Sequence, residues 1–296
     1  METTLLGKTG LKVSRLGAGL AEIGSSADAL GVGRLLNAAL DGGINFLDTA
    51  ACYGDSEEWI GHSISHCRQE YILATKAGHI TGGYEGEAWT AKTILDSVER
   101  SLRRMKTDHL DLVQLHSCGV DTLERGEVIQ ALLEAKRSGK TRYIGYSGDH
   151  EAALWAIESN QFDTLQTTFN LVDQRARKEV LPQARAKVMG IIAKRPIANA
   201  TWGAPAGSDA VREWYRQRAQ AMLGMGPLLA APQDPILLAL GFVLAHEEVD
   251  TAIVGTRNPD HMRANVEMVE NELPLTMEVV RELHRRFDQT ELSAAT

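Results

Sequence analysis

The sequence predicts an α/β chain built as a (β/α)8 TIM barrel, with an N-terminal β-hairpin and an extra C-terminal helix. Eight short apolar runs fall at 15–19, 44–48, 71–76, 110–116, 141–146, 164–168, 190–194 and 251–254. Several are apolar on consecutive positions, as parallel strands covered on both faces are. Between them lie amphipathic stretches, such as Ile94, Leu95, Val98, Leu102 and Met105, or Val128, Ile129, Leu132 and Leu133, at helical spacing. A doubly wound sheet usually carries a glycine fingerprint after its first strand. Here Gly17-Ala18-Gly19 continues into Leu20-Ala21-Glu22, so G-x-G-x-x-G fails at its third glycine, and no G-x-x-x-x-G-K-[ST] occurs.

Each remaining segment has a place in this plan. Residues 1–14 hold two apolar runs around Gly7-Lys8-Thr9-Gly10 and form the hairpin. Residues 196–232 follow the seventh strand and are rich in Gly, Ala and Pro, with a helical stretch near 210–222. They lie on the side where barrel active sites are built, which suggests a lid. Residues 270–296 carry one more helical pattern, at 277–287, and a small-residue end. With no linker composition, a single domain over 1–296 is expected.

Composition excludes several classes. Of 296 residues, 44% are hydrophobic, and 31 Lys and Arg face 39 Asp and Glu for a net charge of −8. No basic field invites nucleic acid or an anionic membrane. Cys52, Cys67 and Cys118 are too few and scattered for a disulfide framework and suggest reduced thiols in the cytoplasm. METTLLGKTG lacks the pattern of a signal peptide, and no apolar run reaches the roughly 18 residues of a membrane span.

Catalytic groups of a parallel barrel come from the C-terminal ends of its strands. Three neighbouring strands end in Asp48, Lys76 and His116, and the loop after Asp48 adds Tyr53. Taken singly, each has an ordinary explanation: a strand-end Asp caps turns, and a rim Tyr or His is common. Together they are less ordinary, because a lysine ending an apolar strand needs a partner and Asp48 is the nearest. The chemistry the four can share is proton transfer to a carbonyl oxygen. A tyrosine titrates near pH 10, and an adjacent Lys76 cation is expected to lower that value, with Asp48 keeping the cation aimed. His116 would orient the substrate oxygen or join the relay. None of the four donates hydride, so a reduction needs a cofactor.

FLDTAACYG, ILATKAG and LVQLH, in this order, together with a late IVGTRNPDHMRAN, resemble the aldo-keto reductase superfamily over nearly the whole chain. Its Asp–Tyr–Lys–His tetrad matches Asp48, Tyr53, Lys76 and His116. The resemblance implies a barrel closed at its bottom by the hairpin, and an NADP-dependent enzyme in which NADP(H), with NAD(H) as the alternative, passes hydride to an aldehyde or ketone, or the reverse. Tyr53 would be the general acid. Ser147 and Gln166 match the nicotinamide-amide contacts, though Gly148 stands where an Asn usually follows the serine. Lys194 replaces the tyrosine that stacks on the ring, and Arg195 would reach the pyrophosphate. After the eighth strand come Gly255, Thr256 and Arg257, then Asn258 and Pro259, a good N-cap and first helical residue. A helix start with a nearby arginine favours an anion. The resemblance makes that anion the 2′-phosphate of NADP, with His261 nearby and Asn265 near the adenine. His261 stands where Arg or Gln is usual, and Ala264 where Glu is.

Other features are weaker. His62 and His66 are four apart on an expected helix, but Ser63 stands where H-E-x-x-H needs Glu, so no metal is expected. Trp202, in the long loop, is a candidate substrate contact, and the substrate is expected to be a small carbonyl or alcohol. Two alternatives share the barrel: a redox sensor that binds the nucleotide without turnover, and a Schiff-base aldolase using Lys76. The second conflicts with Asp48, which would keep the amine protonated.

Overall fold

Five of the barrel strands change character over their last two inward-facing residues, and that step positions the site. In the computed structural model, which describes residues 1–203 and 209–294 (side chains of 202, 203 and 292–294 excepted), ten strands form. β1 (Thr3–Leu5) and β2 (Lys12–Ser14) pair antiparallel as the hairpin. β3 (Leu16–Gly19), β4 (Phe46–Asp48), β5 (Ile72–Ala77), β6 (Leu110–His116), β7 (Thr141–Ser147), β8 (Thr164–Thr168), β9 (Gly190–Lys194) and β10 (Thr251–Gly255) close in sequence order into a parallel barrel. Helices alternate with the strands, and an additional helix, Met277–Ala294, ends the chain.

Residues i and i+2 of a strand share a face. Phe46, Ala74, Leu112, Ile192 and Ile253 accordingly meet inside the barrel, stacked on Leu6, Leu11 and Val13 of the hairpin segment. Two residues further on, the same strands carry Asp48, Lys76, Gln114, Lys194 and Gly255. The interior is thus apolar below and polar at the rim. Asp250, just before β10, accepts from the Gly7 and Ile191 amides at 3.1 and 2.9 Å, which ties the hairpin to the N-terminal end of the barrel, opposite the polar rim.

The helices follow their apolar stripes. Ala91–Arg104 buries Ile94 and Val98, starts on a Thr90 side-chain cap and places Arg103 and Arg104 in its last turn, where cations suit the helix dipole. Glu127–Arg137 buries Val128, Ile129 and Leu132.

Several boundaries move for identifiable reasons. β3 starts at Leu16, because Arg15 turns its guanidinium to the carbonyls of Leu244 (2.7 Å) and Val249. β4 starts at Phe46, since the Asn45 side chain serves the hairpin, bonding the Ser14 amide and Lys12 carbonyl at 2.7 and 2.8 Å. The last helix continues past 287 to Ala294, where Glu291 pairs with Arg218 of the helix Ala210–Leu223. A further helix, Pro235–Leu244, follows the long segment on an Asp234 cap. His62 and His66 do not share a helix: Ser56–Ser63 ends before a 3-10 stretch, Ser65–Glu70. Among the described residues, no helix is long and apolar enough to cross a membrane, and no group of three His, Cys, Asp or Glu is arranged for a metal.

Candidate active site

The turn between β4 and the helix Ser56–Ser63 carries Tyr53 and is held from two sides. Thr49 Oγ1 donates to Ser56 Oγ, which donates to the Leu20 carbonyl, both at 2.8 Å. On the other side the Gly24 backbone lies flat against it, and a Cβ there would fall 1.8 Å from the Tyr53 carbonyl oxygen. The Asp55 amide donates to the Gly24 carbonyl, and Gly54 between them takes a left-handed φ of +51°. Glycine is required at both positions.

Inside this turn the four rim residues converge. Lys76 Nζ donates to Asp48 Oδ2 at 2.5 Å and to the Thr49 carbonyl at 3.0 Å, and lies 5.1 Å from the centre of the Tyr53 ring. Asp48 Oδ1 accepts from Gln166 Nε2 at 2.8 Å and Gln114 Nε2 at 3.3 Å. His116 Nε2 is 3.4 Å from Tyr53 Oη, and its Nδ1 is 3.3 Å from Cys52 Sγ. His79 stands edge-on to His116 with ring centres 5.0 Å apart, and Trp89 backs His79 at 4.9 Å.

Burial sets the protonation states. Desolvation works against the Lys76 ammonium, but Asp48 and Tyr53 together overcome it, so its pKa stays above the usual lysine value. That is the opposite of what an imine-forming amine needs. Tyr53 departs from expectation. Its pKa is raised rather than lowered, because burial of the phenol outweighs the Lys76 cation. His116 is pushed down to about 3, by burial first and then by Lys76 and His79, and is neutral at neutral pH.

Asp48, Tyr53 and His116 open onto a cleft of about 520 Å³, also lined by Gly19, Glu22, Ser147, Gln166, Lys194, Arg195, Arg212 and Gly255. Gly19 and Gly255 pair in register, which leaves bare backbone at those two strand ends. Ser147 Oγ donates to Gln166 Oε1 at 2.9 Å, so these two form one unit with Asp48, with one Gln166 N–H and the Ser147 lone pairs to spare. Lys194 turns its ammonium to Asp149 Oδ2 at 3.1 Å rather than standing alone in the cleft; burial lowers its pKa. Asn258 caps the helix Pro259–Asn271, as expected, accepting from the Asp260 amide at 2.9 Å. Thr256 is half-buried, Arg257 and His261 are exposed, and Asn265 is buried; these four lie beyond the cleft lining. The Trp202 backbone belongs to the 3-10 stretch Ala198–Gly203, and its side chain lies outside the described residues.

Cys52, Gln114, Asp149 and Glu22 were not singled out from the sequence. Gln114 had a signal: it shares the inward face of β6 with Leu112 and His116, and a glutamine there needs a polar partner. Cys52 and Asp149 are loop residues and Glu22 opens the 3-10 stretch Glu22–Ser25, and their neighbours come from distant strands.

The aldo/keto reductase family model matches residues 15–285. An "uncharacterized oxidoreductase", YrpG of Bacillus subtilis (strain 168), is 30% identical, covering 97% of this chain and 96% of its own length. The L-galactose dehydrogenase of Arabidopsis thaliana is 28% identical over 91% of this chain and 88% of its own. Among solved structures, the holo form of the aldo-keto reductase AKR11C1 from Bacillus halodurans superposes with a TM-score of 0.83 at 29% identity, covering 97% and 96% of the two chains. On the family match, the whole-length likeness and the closed barrel with its hairpin, this chain belongs to the aldo/keto reductase family.

Proposed function

We propose that the protein is an NADP-dependent carbonyl reductase acting on a small aldehyde or ketone, or on the alcohol in reverse. The observation that carries this reading is the buried Lys76–Asp48 pair beneath the Tyr53 ring, with His116 at the phenol oxygen and all of it facing one cleft. The family generally uses nicotinamide cofactors. The donor set fits one: Ser147 and Gln166 retain valences for a carboxamide, and Arg195 and Arg212 supply cations along the lining for a pyrophosphate. Arg257, exposed before a capped helix start, would hold a 2′-phosphate, with Thr256 and His261 beside it and Asn265 toward the adenine. A bound nicotinamide supplies the hydride.

The chain's own residues handle the proton. Tyr53 donates from Oη to the carbonyl oxygen as the alcohol forms. Its raised pKa keeps the proton on the phenol until substrate arrives, and Lys76 stabilises the phenolate left behind. Asp48 holds Lys76 charged, and Gln114 and Gln166 hold Asp48. Neutral His116, with Nε2 facing Tyr53 Oη, supports the oxygen from which the proton leaves.

The test is titration of the pure protein with NADPH and NADH by calorimetry, then a panel of aldehydes and ketones followed by loss of the reduced-nicotinamide absorbance. Binding with turnover of at least one carbonyl is expected. Binding with none across the panel would favour the sensor reading, and no binding would remove both.

A further inference from the structure

We propose that Cys52 is a positioning residue: its thiol donates to His116 Nδ1 and so places the imidazole proton on Nε2, facing Tyr53 and the cleft. The proposal rests on the reading of Tyr53 as the acid. Cys52 Sγ lies 3.3 Å from Nδ1, and among the described residues no other hydrogen bond reaches that nitrogen. Either the thiol donates or the ring does. The unprotonated imidazole nitrogen is a strong acceptor and thioether- or thiol-type sulfur a weak one, which favours S–H donating to N. Both groups are in the required form. Burial pushes the Cys52 thiol up, so it keeps its proton, and His116 is neutral.

The direction matters because of what happens at the other ring nitrogen. With Nδ1 occupied as an acceptor, Nε2–H donates to Tyr53 Oη across 3.4 Å. The phenol oxygen then receives a hydrogen bond, and its own O–H is left for the carbonyl. In the other tautomer Nε2 is bare and draws the phenol proton to itself, away from the substrate. Cys52 and Tyr53 are consecutive on the turn that Gly24 clamps, whereas His116 ends β6. One rigid turn therefore carries both the acid and the group that sets the protonation of the acid's neighbour.

The readout is the 15N imidazole spectrum of the full chain, with His116 assigned by His116→Asn. Wild type should show Nε2 protonated and Nδ1 bare. A single hydrogen bond biases such an equilibrium about 2- to 12-fold. Cys52→Ala should therefore give a mixed tautomer and a single-turnover reduction rate lower by a comparable factor, with substrate KM and cofactor affinity unmoved. Cys52→Ser should restore both in large part. A wild-type spectrum with Nδ1 protonated would overturn the proposal even if no variant folded. So would a Cys52→Ala spectrum identical to wild type. If the tautomer follows Cys52 but no carbonyl is reduced, Cys52 keeps its role toward His116 and the reductase reading falls. If carbonyls are reduced and the tautomer ignores Cys52, only the Cys52 proposal falls.

Discussion

The Lys76 ammonium lies 2.5 Å from the Asp48 carboxylate, and neither side chain is more than 3% exposed. A buried ion pair is weak evidence of stability, since packed apolar side chains of the same volume often fold as well or better. The surroundings of this pair point to a different use. The Thr49 carbonyl and the amides of Gln114 and Gln166 complete its hydrogen bonds, and the cation is held beside the Tyr53 ring. The fold surrounds a fixed positive charge with partners and presents it to one phenol.

Breaking that pair from one side should be costly. Lys76→Met leaves Asp48 buried with two neutral amides, and the expected loss is about 3–5 kcal/mol of unfolding free energy. Adding Asp48→Asn removes the stranded charge and should recover most of it, without recovering turnover. Urea unfolding of the wild type and these two variants checks this. A single mutant with the wild-type midpoint would mean that Asp48 carries no charge in the folded protein.

Tyr53→Phe removes one oxygen from a clamped turn, so the fold and the cofactor Kd should be nearly unchanged. Turnover should fall about 10²- to 10⁴-fold, mainly in kcat. Lys76→Met should cost a similar factor, and the double mutant far less than the product, because both residues act on one proton. Strictly additive losses would show that Lys76 acts independently of Tyr53. The comparison belongs on a substrate with slow chemistry, where cofactor release does not hide the damage.

The barrel and the four convergent residues were legible because three neighbouring strands run through apolar residues to an unusual group, and Tyr53 follows the first of them closely. Asp48, Lys76 and His116 are conspicuous after Leu47, Thr75 and Leu115. Gln114 carried a signal in its period-two spacing from Leu112 and His116, and Asp234-Pro235 carried one for the helix Pro235–Leu244, although neither was singled out from the sequence. Two things had no local signal. Asp149 pairs with Lys194 across 45 residues of chain, and only the pairing of β7 with β8 and of β8 with β9 brings the end of β9 beside the loop after β7. The direction of the Tyr53 shift depends on how deeply the phenol is buried, and residue types alone do not give depth.

Acid should weaken the fold through its histidines. His284 is pushed down to about 4, by burial first and then by Arg177 and His246, while His246, 2.9 Å away, is also lowered by burial. An unfolded histidine titrates near 6.5, so below that pH the unfolded chain binds more protons than the folded one. The contribution of this pair is whole above about pH 6.5 and is lost as pH falls toward 4. Thermal midpoints measured from pH 7 to 4 should drop across that window, and His284→Gln should flatten the slope. Raised carboxylates such as Asp250 and Glu57 act with the opposite sign, so the difference between wild type and variant is the informative quantity. Parallel slopes would mean that the pair titrates normally in the folded chain.

Arg257→Ala should separate the two nicotinamide cofactors. Arg257 is exposed, follows β10 and stands just before the Asn258 cap, while the cleft lining stops at Gly255. A ligand that touches both must therefore extend out of the cleft along the start of the helix Pro259–Asn271. NADPH differs from NADH by one phosphate on its adenosine ribose, so a guanidinium at that far end discriminates between them, whereas one near the ring would not. Removing a charge-assisted hydrogen bond costs about 1.5–3 kcal/mol, or roughly 10- to 150-fold in affinity. NADPH should weaken by that factor and NADH by little, as read from calorimetric Kd values at one ionic strength. The Asp260 carboxylate in the first helical turn is taken up by Arg263 at 2.7 Å, which removes one competitor for Arg257. Raising the salt concentration should shrink the difference between the cofactors, since the site is open to solvent. Equal losses for both would place Arg257 in the structure of the helix start, and any preference for NADPH would have to come from elsewhere.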